Sequence, residues 1–207
     1  MAYDYFTIQA LAGELAARLG GRRIEAARAA TADLELDSGD ATLVVLTGSR
    51  GALFVRTSGP AGGDRGGQEP ALAYLIGAHV AGVTAHPVDR VIEVRLERVN
   101  SQGRSSWGWL RVELVRPHVT AVLGRARNEE VIAVWGRRGQ SQPCLRPGAA
   151  YAALAGPERL LPGRDTVDAF LAALLRGGDG PVAPMAAAVL AMADRRCVAA
   201  ILAGMGQ

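Results

Sequence analysis

Apolar and polar positions change their spacing several times along this chain, and each change marks an element. In residues 7–19 (TIQALAGELAARL), Ile8, Leu11, Leu15 and Leu19 recur at helical spacing, with Thr7 as an N-cap. Gly20-Gly21 then stop the helix. Three strand-like runs follow, "RIEAARAATADLELDS", "ATLVVLTGS" and "GALFVRTS", separated by Gly, Asp and Ser turns. The stretch from Gly59 to Gln68 (GPAGGDRGGQ) has the composition of a loop. Pro70 opens a second predicted helix over about 70–81 (PALAYLIGAHVA). Beyond it, Ile92, Val94 and Leu96 alternate with Glu93, Arg95 and Glu97, the two-residue period of a strand with one wet face. Strands are expected at 91–99, 107–116, 119–124 and 130–135, with a loop from Gly136 to Tyr151. The period turns helical in "DTVDAFLAALLR" and again in "APMAAAVLAMADRRCVAAILAGM".

This order (helix, strands, helix, strands, helices) predicts an α+β fold: an antiparallel β-sandwich or barrel with flanking helices and a C-terminal helical segment. Residues 1–150 form the expected β-rich unit and 151–207 a helical appendix. A doubly wound parallel sheet would need regular strand–helix alternation, which is absent.

Composition narrows the functional classes. An apolar fraction of 49% over 207 residues excludes general disorder and allows a sizeable core. No apolar run approaches the roughly 18 residues of a membrane helix. The opening "MAYDYFTIQALAGEL" carries acids where a secretory signal carries basic residues, so a cytoplasmic protein is expected, with no membrane partner. Two cysteines, Cys144 and Cys197, are too few for a disulfide framework or a zinc site. All 23 basic residues are Arg, and the net charge is +3 with a pI near 9.3. Codon usage in a GC-rich genome accounts for part of that bias. The result is still a surface of planar forks suited to phosphate, which permits a nucleic-acid partner.

Catalytic signatures are missing. No GxGxxG joins a strand to a helix, and a chain without Lys has no GxxxxGK[ST] loop. His79, His86 and His118 lie far apart, and no Ser or Cys sits in a nucleophile elbow. Neither an enzyme nor a cofactor is expected. Two features remain. In "GGDGPVAPMAAAVLAM" (Gly177 to Met192), Gly178 and Gly180 form a tight turn ahead of a helix. Such a turn is either an ordinary connection or a phosphate-binding hairpin of the helix–hairpin–helix kind. The second feature is Asp89-Arg90 at the mouth of the 91–99 strand, directly after His86-Pro87. An Arg fork there grips phosphate while the Asp orients it or accepts from a ribose hydroxyl; the plain alternative is a surface ion pair. The site reading expects both side chains to be substantially exposed.

Several stretches, taken in order, resemble the opening domain of the NFACT family, the fibronectin-binding-protein-A-like and ribosome quality-control proteins. They are Asp4, Thr7, Gly20-Gly21-Arg22-Arg23-Ile24, His79-Val80, Val88-Asp89-Arg90, Val112-Glu113-Leu114, Arg116-Pro117-His118-Val119-Thr120 and the Pro147-Gly148…Tyr151 loop. The resemblance implies a fold like the N-terminal domain of formamidopyrimidine-type DNA glycosylases. It does not imply their reaction, because Ala2 stands where those enzymes need Pro. It further implies an RNA-binding module of ribosome-associated quality control, in contact with tRNA and the large ribosomal subunit. The residues it points to are Asp89, Arg90, Arg116, His118, Arg22 and Arg23. This chain departs from the family at Gly77-Ala78, where a basic pair is expected, and at His118-Val119-Thr120, where His-Ser-Asn is expected. The family's coiled coil and separate RNA-binding domain have no counterpart in these residues. A fibronectin-binding surface adhesin, or an interaction domain that has lost RNA binding, are the alternatives.

Overall fold

The computed structural model describes residues 5–30, 33–47, 51–57, 69–86, 90–114, 119–136, 145–152 and 172. Asp89, Arg116, His118, Gly178, Gly180 and, residue 172 apart, the predicted helical tail lie outside the described residues.

Helix α1 spans Tyr5–Leu19, beginning two residues before the expected cap at Thr7. It buries Ile8, Ala12, Leu15 and Leu19 on one face, the stripe a 3.6-residue period brings together. The stop falls at the expected glycines. Gly20 donates to the Ala16 carbonyl at 2.9 Å, and Gly21, at φ +75°, donates to the Val80 carbonyl at 2.8 Å. A left-handed φ there is what glycine adopts without penalty.

Two antiparallel sheets follow, each with its strands in sequence order. The first holds β1 (Ala26–Ala29), β2 (Asp33–Asp37), β3 (Ala41–Leu46) and β4 (Ala52–Thr57). The second holds β5 (His79–Ala85), β6 (Val91–Val99), β7 (Ser105–Glu113), β8 (Thr120–Arg125) and β9 (Glu130–Trp135). The first strand-like run of the sequence is therefore two strands, folded back by reciprocal Ala30–Asp33 backbone bonds of 2.8 and 3.4 Å.

Alternation decides what goes inside. Leu34 and Leu36, Leu43 and Val45, Ile92, Val94 and Leu96, and Leu110 and Val112 share one buried cluster with the apolar face of α1. Burying each such side chain contributes about 1.5–3 kcal/mol. A second, smaller cluster of Trp109, Val122 and Val131 lies on the other face of the five-stranded sheet, packed by Leu145 and Tyr151.

The predicted helix over 70–81 is not one. A 3-10 turn covers Pro70–Tyr74, and the chain then extends into β5. Gly77 sits at φ +85° and ends the turn. From Ala78 the backbone is claimed by neighbours: Ile24 donates to the Ala78 carbonyl and Val80 to the Arg22 carbonyl, both at 2.8 Å. Val80 and Val83 are buried while Ala81 and Thr84 are exposed, a two-residue period interrupted by a bulge between Val80 and Gly82. The nearly all-apolar sequence concealed this change of period, and long-range pairing overrode local propensity.

Candidate functional site: an arginine- and aromatic-lined groove

Register brings together residues that are distant in sequence. At one end of the second sheet, Arg98 lies opposite Ser106, and Gly108 opposite Arg125. The 3-10 turn and the Glu69 before it are tied to the sheet by three side-chain bonds, two of them at this end. Arg98 Nη1 donates to the Ala73 carbonyl at 3.0 Å, Arg125 Nη2 donates to the Tyr74 hydroxyl at 3.2 Å, and Trp135 Nε1 donates to Glu69 Oε2 at 2.8 Å. Between turn and sheet is a groove of about 710 Å³, whose lining includes Tyr74, Arg98, Trp107, Gly108, Arg125 and Arg127. Among the described residues its lining has three arginines and no acid.

The side chains in the groove are held differently. Arg125 is occupied: its guanidinium lies 5.6 Å from the Tyr74 ring centroid and reaches Glu130 at 3.4 Å. Arg127 is exposed and makes no hydrogen bond or ion pair among the described residues. Trp107 is 50% exposed, and its side chain projects to the other face of the sheet, the face that carries Trp109.

Across the outer face of the same sheet runs a second constellation, centred on Arg111. Its Nε and Nη2 both meet Glu93 Oε2 at 2.8 Å, and its Nη1 meets Glu129 Oε2 at 2.5 Å. The guanidinium stacks 4.1 Å from the Trp109 centroid and 4.5 Å from that of Tyr151. Tyr151 packs edge-on to Trp109 at 5.1 Å and donates to Glu113 Oε1 at 3.0 Å. Burial alone would lower the Arg111 pKa, but the bonds and charges of Glu129 and Glu93 outweigh it and raise it above the ordinary value. With its carboxylates and ring faces already taken, this network fastens residues 145–152 to the sheet.

The structure separates the residues to which the sequence pointed. Arg90 stands at the start of β6, where its carbonyl accepts from Leu114 N at 2.7 Å. It is half-buried rather than substantially exposed, and its Nε is buried with no hydrogen-bond partner. Position explains the difference: Arg90 leads into Val91 and Ile92, both in the core, so its stem is drawn in with them. Arg22 and Arg23 lie at the opposite end of the β5–β6 ladder, since Arg23 bridges His79 and His79 pairs with Glu97. Arg22 forms an ion pair with Asp40, and Arg23 is exposed beside Gly77. Sequence reasoning did not single out Arg98, Trp107, Arg125 or Arg127. The signal available was the aromatic–small repeat "SSWGW" followed by "RAR" at a turn.

No family model and no curated protein matches this chain. Solved structures do. The N-terminal domain of the fibronectin-binding protein PavA from Streptococcus pneumoniae superposes with a TM-score of 0.76 at 19% identity, over 99% of this chain and 85% of that one. The N-terminal part of the fibronectin/fibrinogen-binding protein of Streptococcus suis gives 0.77 at 19%, over 95% and 77%. The fibrinogen-binding protein of Staphylococcus aureus gives 0.77 at 16%, over 98% and 74%. At these identities the likeness is one of fold. It is the fold expected of N-terminal domains of fibronectin-binding proteins.

Proposed function

We propose that this chain is an RNA-binding module of ribosome-associated quality control, with tRNA or the large ribosomal subunit as its partner. The observation that carries the reading is the groove: three arginines and the exposed Tyr74, with no acid in the described lining. Guanidinium forks match phosphate geometry, and ring faces accept bases. The resemblance of the opening segment and of Val88-Asp89-Arg90 to quality-control proteins supplies the identity of the partner. The test is binding of the full chain to tRNA across a salt series. The Arg98→Ala/Arg127→Ala pair should bind more weakly and with a shallower salt dependence, the log–log slope falling by about 1.4 to 1.8 for two lost phosphate contacts. Wild type that binds no tRNA and does not co-sediment with ribosomes would remove the reading.

A second reading is supported by the three fold neighbours, each described as binding fibronectin or fibrinogen. In that case the same basic groove takes an acidic segment of a host protein. Saturable binding to immobilised fibronectin, abolished by the arginine pair and unaffected by excess tRNA, would select it over the first.

A further inference from the structure

We infer that the outer face of the five-stranded sheet docks an arginine of a partner protein, its guanidinium stacked on Trp107 and paired with Glu97. This surface lies on the opposite side of the sheet from the groove and does not depend on RNA binding. Alternation places Ser105, Trp107, Trp109 and Arg111 of β7 together on it. Register places Glu97 directly opposite Trp107, and Glu93 directly opposite Arg111, on the same face.

The sheet already holds one guanidinium in this way. Arg111 lies 4.1 Å from the Trp109 centroid, and its Nε and Nη2 both meet Glu93 Oε2 at 2.8 Å. Two residues along β7 the same pair of groups, an indole and a carboxylate, recurs without a cation. Trp107 is 50% exposed and has no ring or guanidinium stacked on it among the described residues. Val99, diagonal to it across the β6–β7 ladder, is 54% exposed and extends the apolar surface.

Charge on this face selects the occupant. Glu93 and Glu129 share Arg111, whereas Glu97 has no ion pair among the described residues. Glu97 Oε1 accepts from Ser105 Oγ at 2.7 Å, which orients the carboxylate and leaves Oε2 open. His79 lies opposite Glu97 on β5 and makes no bond to it. Arg95, the other base here, leans over β5: a Cβ on Gly82 would meet its Nη2 at 3.3 Å. An uncompensated carboxylate beside an open indole repels phosphate and attracts a cation. Arginine fits better than lysine, because a planar fork stacks on the ring while its edge reaches the carboxylate. Its methylene stem then lies along the apolar surface of Val99.

Trp107 is also the natural reporter, because Trp109 and Trp135 are only 2% and 7% exposed. Intrinsic fluorescence of the full chain would be followed during titration with an acetylated, amidated Gly-Arg-Gly-Arg-Gly peptide and with its lysine and citrulline counterparts. Citrulline keeps the planar shape and loses the charge. The expected result is a saturable change with the arginine peptide, weaker binding of the lysine peptide and none of the citrulline peptide. Read by anisotropy of the labelled arginine peptide, Trp107→Ala should bind about two- to thirtyfold more weakly, the range of a cation–π contact. Glu97→Gln, which still accepts from Ser105, should bind about two- to fivefold more weakly, as for an exposed ion pair. Both variants should melt within about 2 °C of wild type, because neither deletes a buried group. Equal binding of the citrulline peptide, or variants that bind like wild type, would overturn the inference. So would saturable quenching of Trp107 by a single-stranded hexaribonucleotide in the Arg98→Ala/Arg127→Ala protein, which would give this face to a nucleobase. Self-association of the chain alone, abolished by Trp107→Ala, would give it to a second copy and overturn the inference equally. The RNA-binding reading stands or falls separately, on tRNA binding by the groove variants.

Discussion

Replacing Gly124 by Ala adds a single methyl group, yet it should be among the most costly small changes in this domain. Gly124 lies opposite Trp109 across β7 and β8, beside a register shift between Leu123 and Gly124. A Cβ there would fall 2.1 Å from Trp109 Cζ2 and 2.3 Å from Cη2. The obstacle is a rigid ring and not the end of a flexible side chain. Nor can the indole retreat freely, because it is 2% exposed and held by the Arg111 stack and the Tyr151 edge. Overpacking of this kind costs about 1–3 kcal/mol. Displacing the ring adds about 1 kcal/mol from the cation–π and aromatic contacts. A total of about 3 kcal/mol corresponds to a fall in melting temperature of about 6–12 °C for a chain of this size. Far-UV circular dichroism gives the melt, and near-UV circular dichroism reports whether the indoles remain ordered. The companion variant Trp109→Phe removes the atoms nearest the new methyl. Adding Gly124→Ala to that background should therefore cost much less than in wild type. A Gly124→Ala protein that melts within about 2 °C of wild type, or a double variant whose costs simply add, would refute the reasoning.

Two further outcomes follow from the same sheet. Arg111→Ala leaves Glu93 and Glu129 without their shared cation and uncovers Trp109 and Tyr151, and should destabilise by about 1–3 kcal/mol in urea melts, discounted because Glu129 is 45% exposed. The raised Arg111 pKa contributes stability that is fully present below the ordinary arginine value and is lost only as pH climbs past the folded one, so the Arg111→Ala cost should be the same at pH 6 and pH 9. Arg90→Met keeps the buried stem and deletes a buried Nε that has no partner, so its melting temperature should equal or exceed that of wild type; a marked drop would refute this and mean that the guanidinium stabilises the fold. If Arg90 also contributes to the RNA surface, that variant should lose tRNA affinity without losing stability.

The sheets were legible where one face is wet and the other dry. β6 reads directly from Ile92, Val94 and Leu96, and β9 from Glu130 to Trp135. Helix α1 was legible from its stripe and its two closing glycines. Residues 70–81 were not, because nearly every side chain there is apolar and period carries no information when both phases look alike. What decided the outcome was pairing with Arg22–Ile24 and with β6, which no local window contains. The groove was hidden for a related reason: Arg98, Ser106, Gly108 and Arg125 become neighbours only through strand register. Trp107 and Trp109 share a face of β7 and the same sequence surroundings. One is buried because Leu145 and Tyr151 return over it, and the other is left open. Arg90 shows the opposite limit: a charged residue in a turn-like context reads as exposed, although its strand carries it inward.

Strand order equal to sequence order has a consequence for how this chain comes to its structure. Within each sheet every pairing joins consecutive strands, so each can form by adding hairpins, and little loop entropy opposes any single step. Contacts between sheets are another matter. The apolar face of α1 finds its main partner in β5, some sixty residues later, and the inward side of β2 and β3 shares its cluster with β6 and β7. During synthesis from the N-terminus, the helix and the first meander therefore emerge before the surfaces that cover them. They remain half-dressed until β5 to β7 have been made. At about 5–20 residues per second that interval lasts several seconds. It is then, more than in the finished fold, that Ile8, Leu15, Leu34 and Leu43 are open to wrong partners, and substitutions that slow the β5–β6 hairpin should lower soluble yield before they lower the melting temperature.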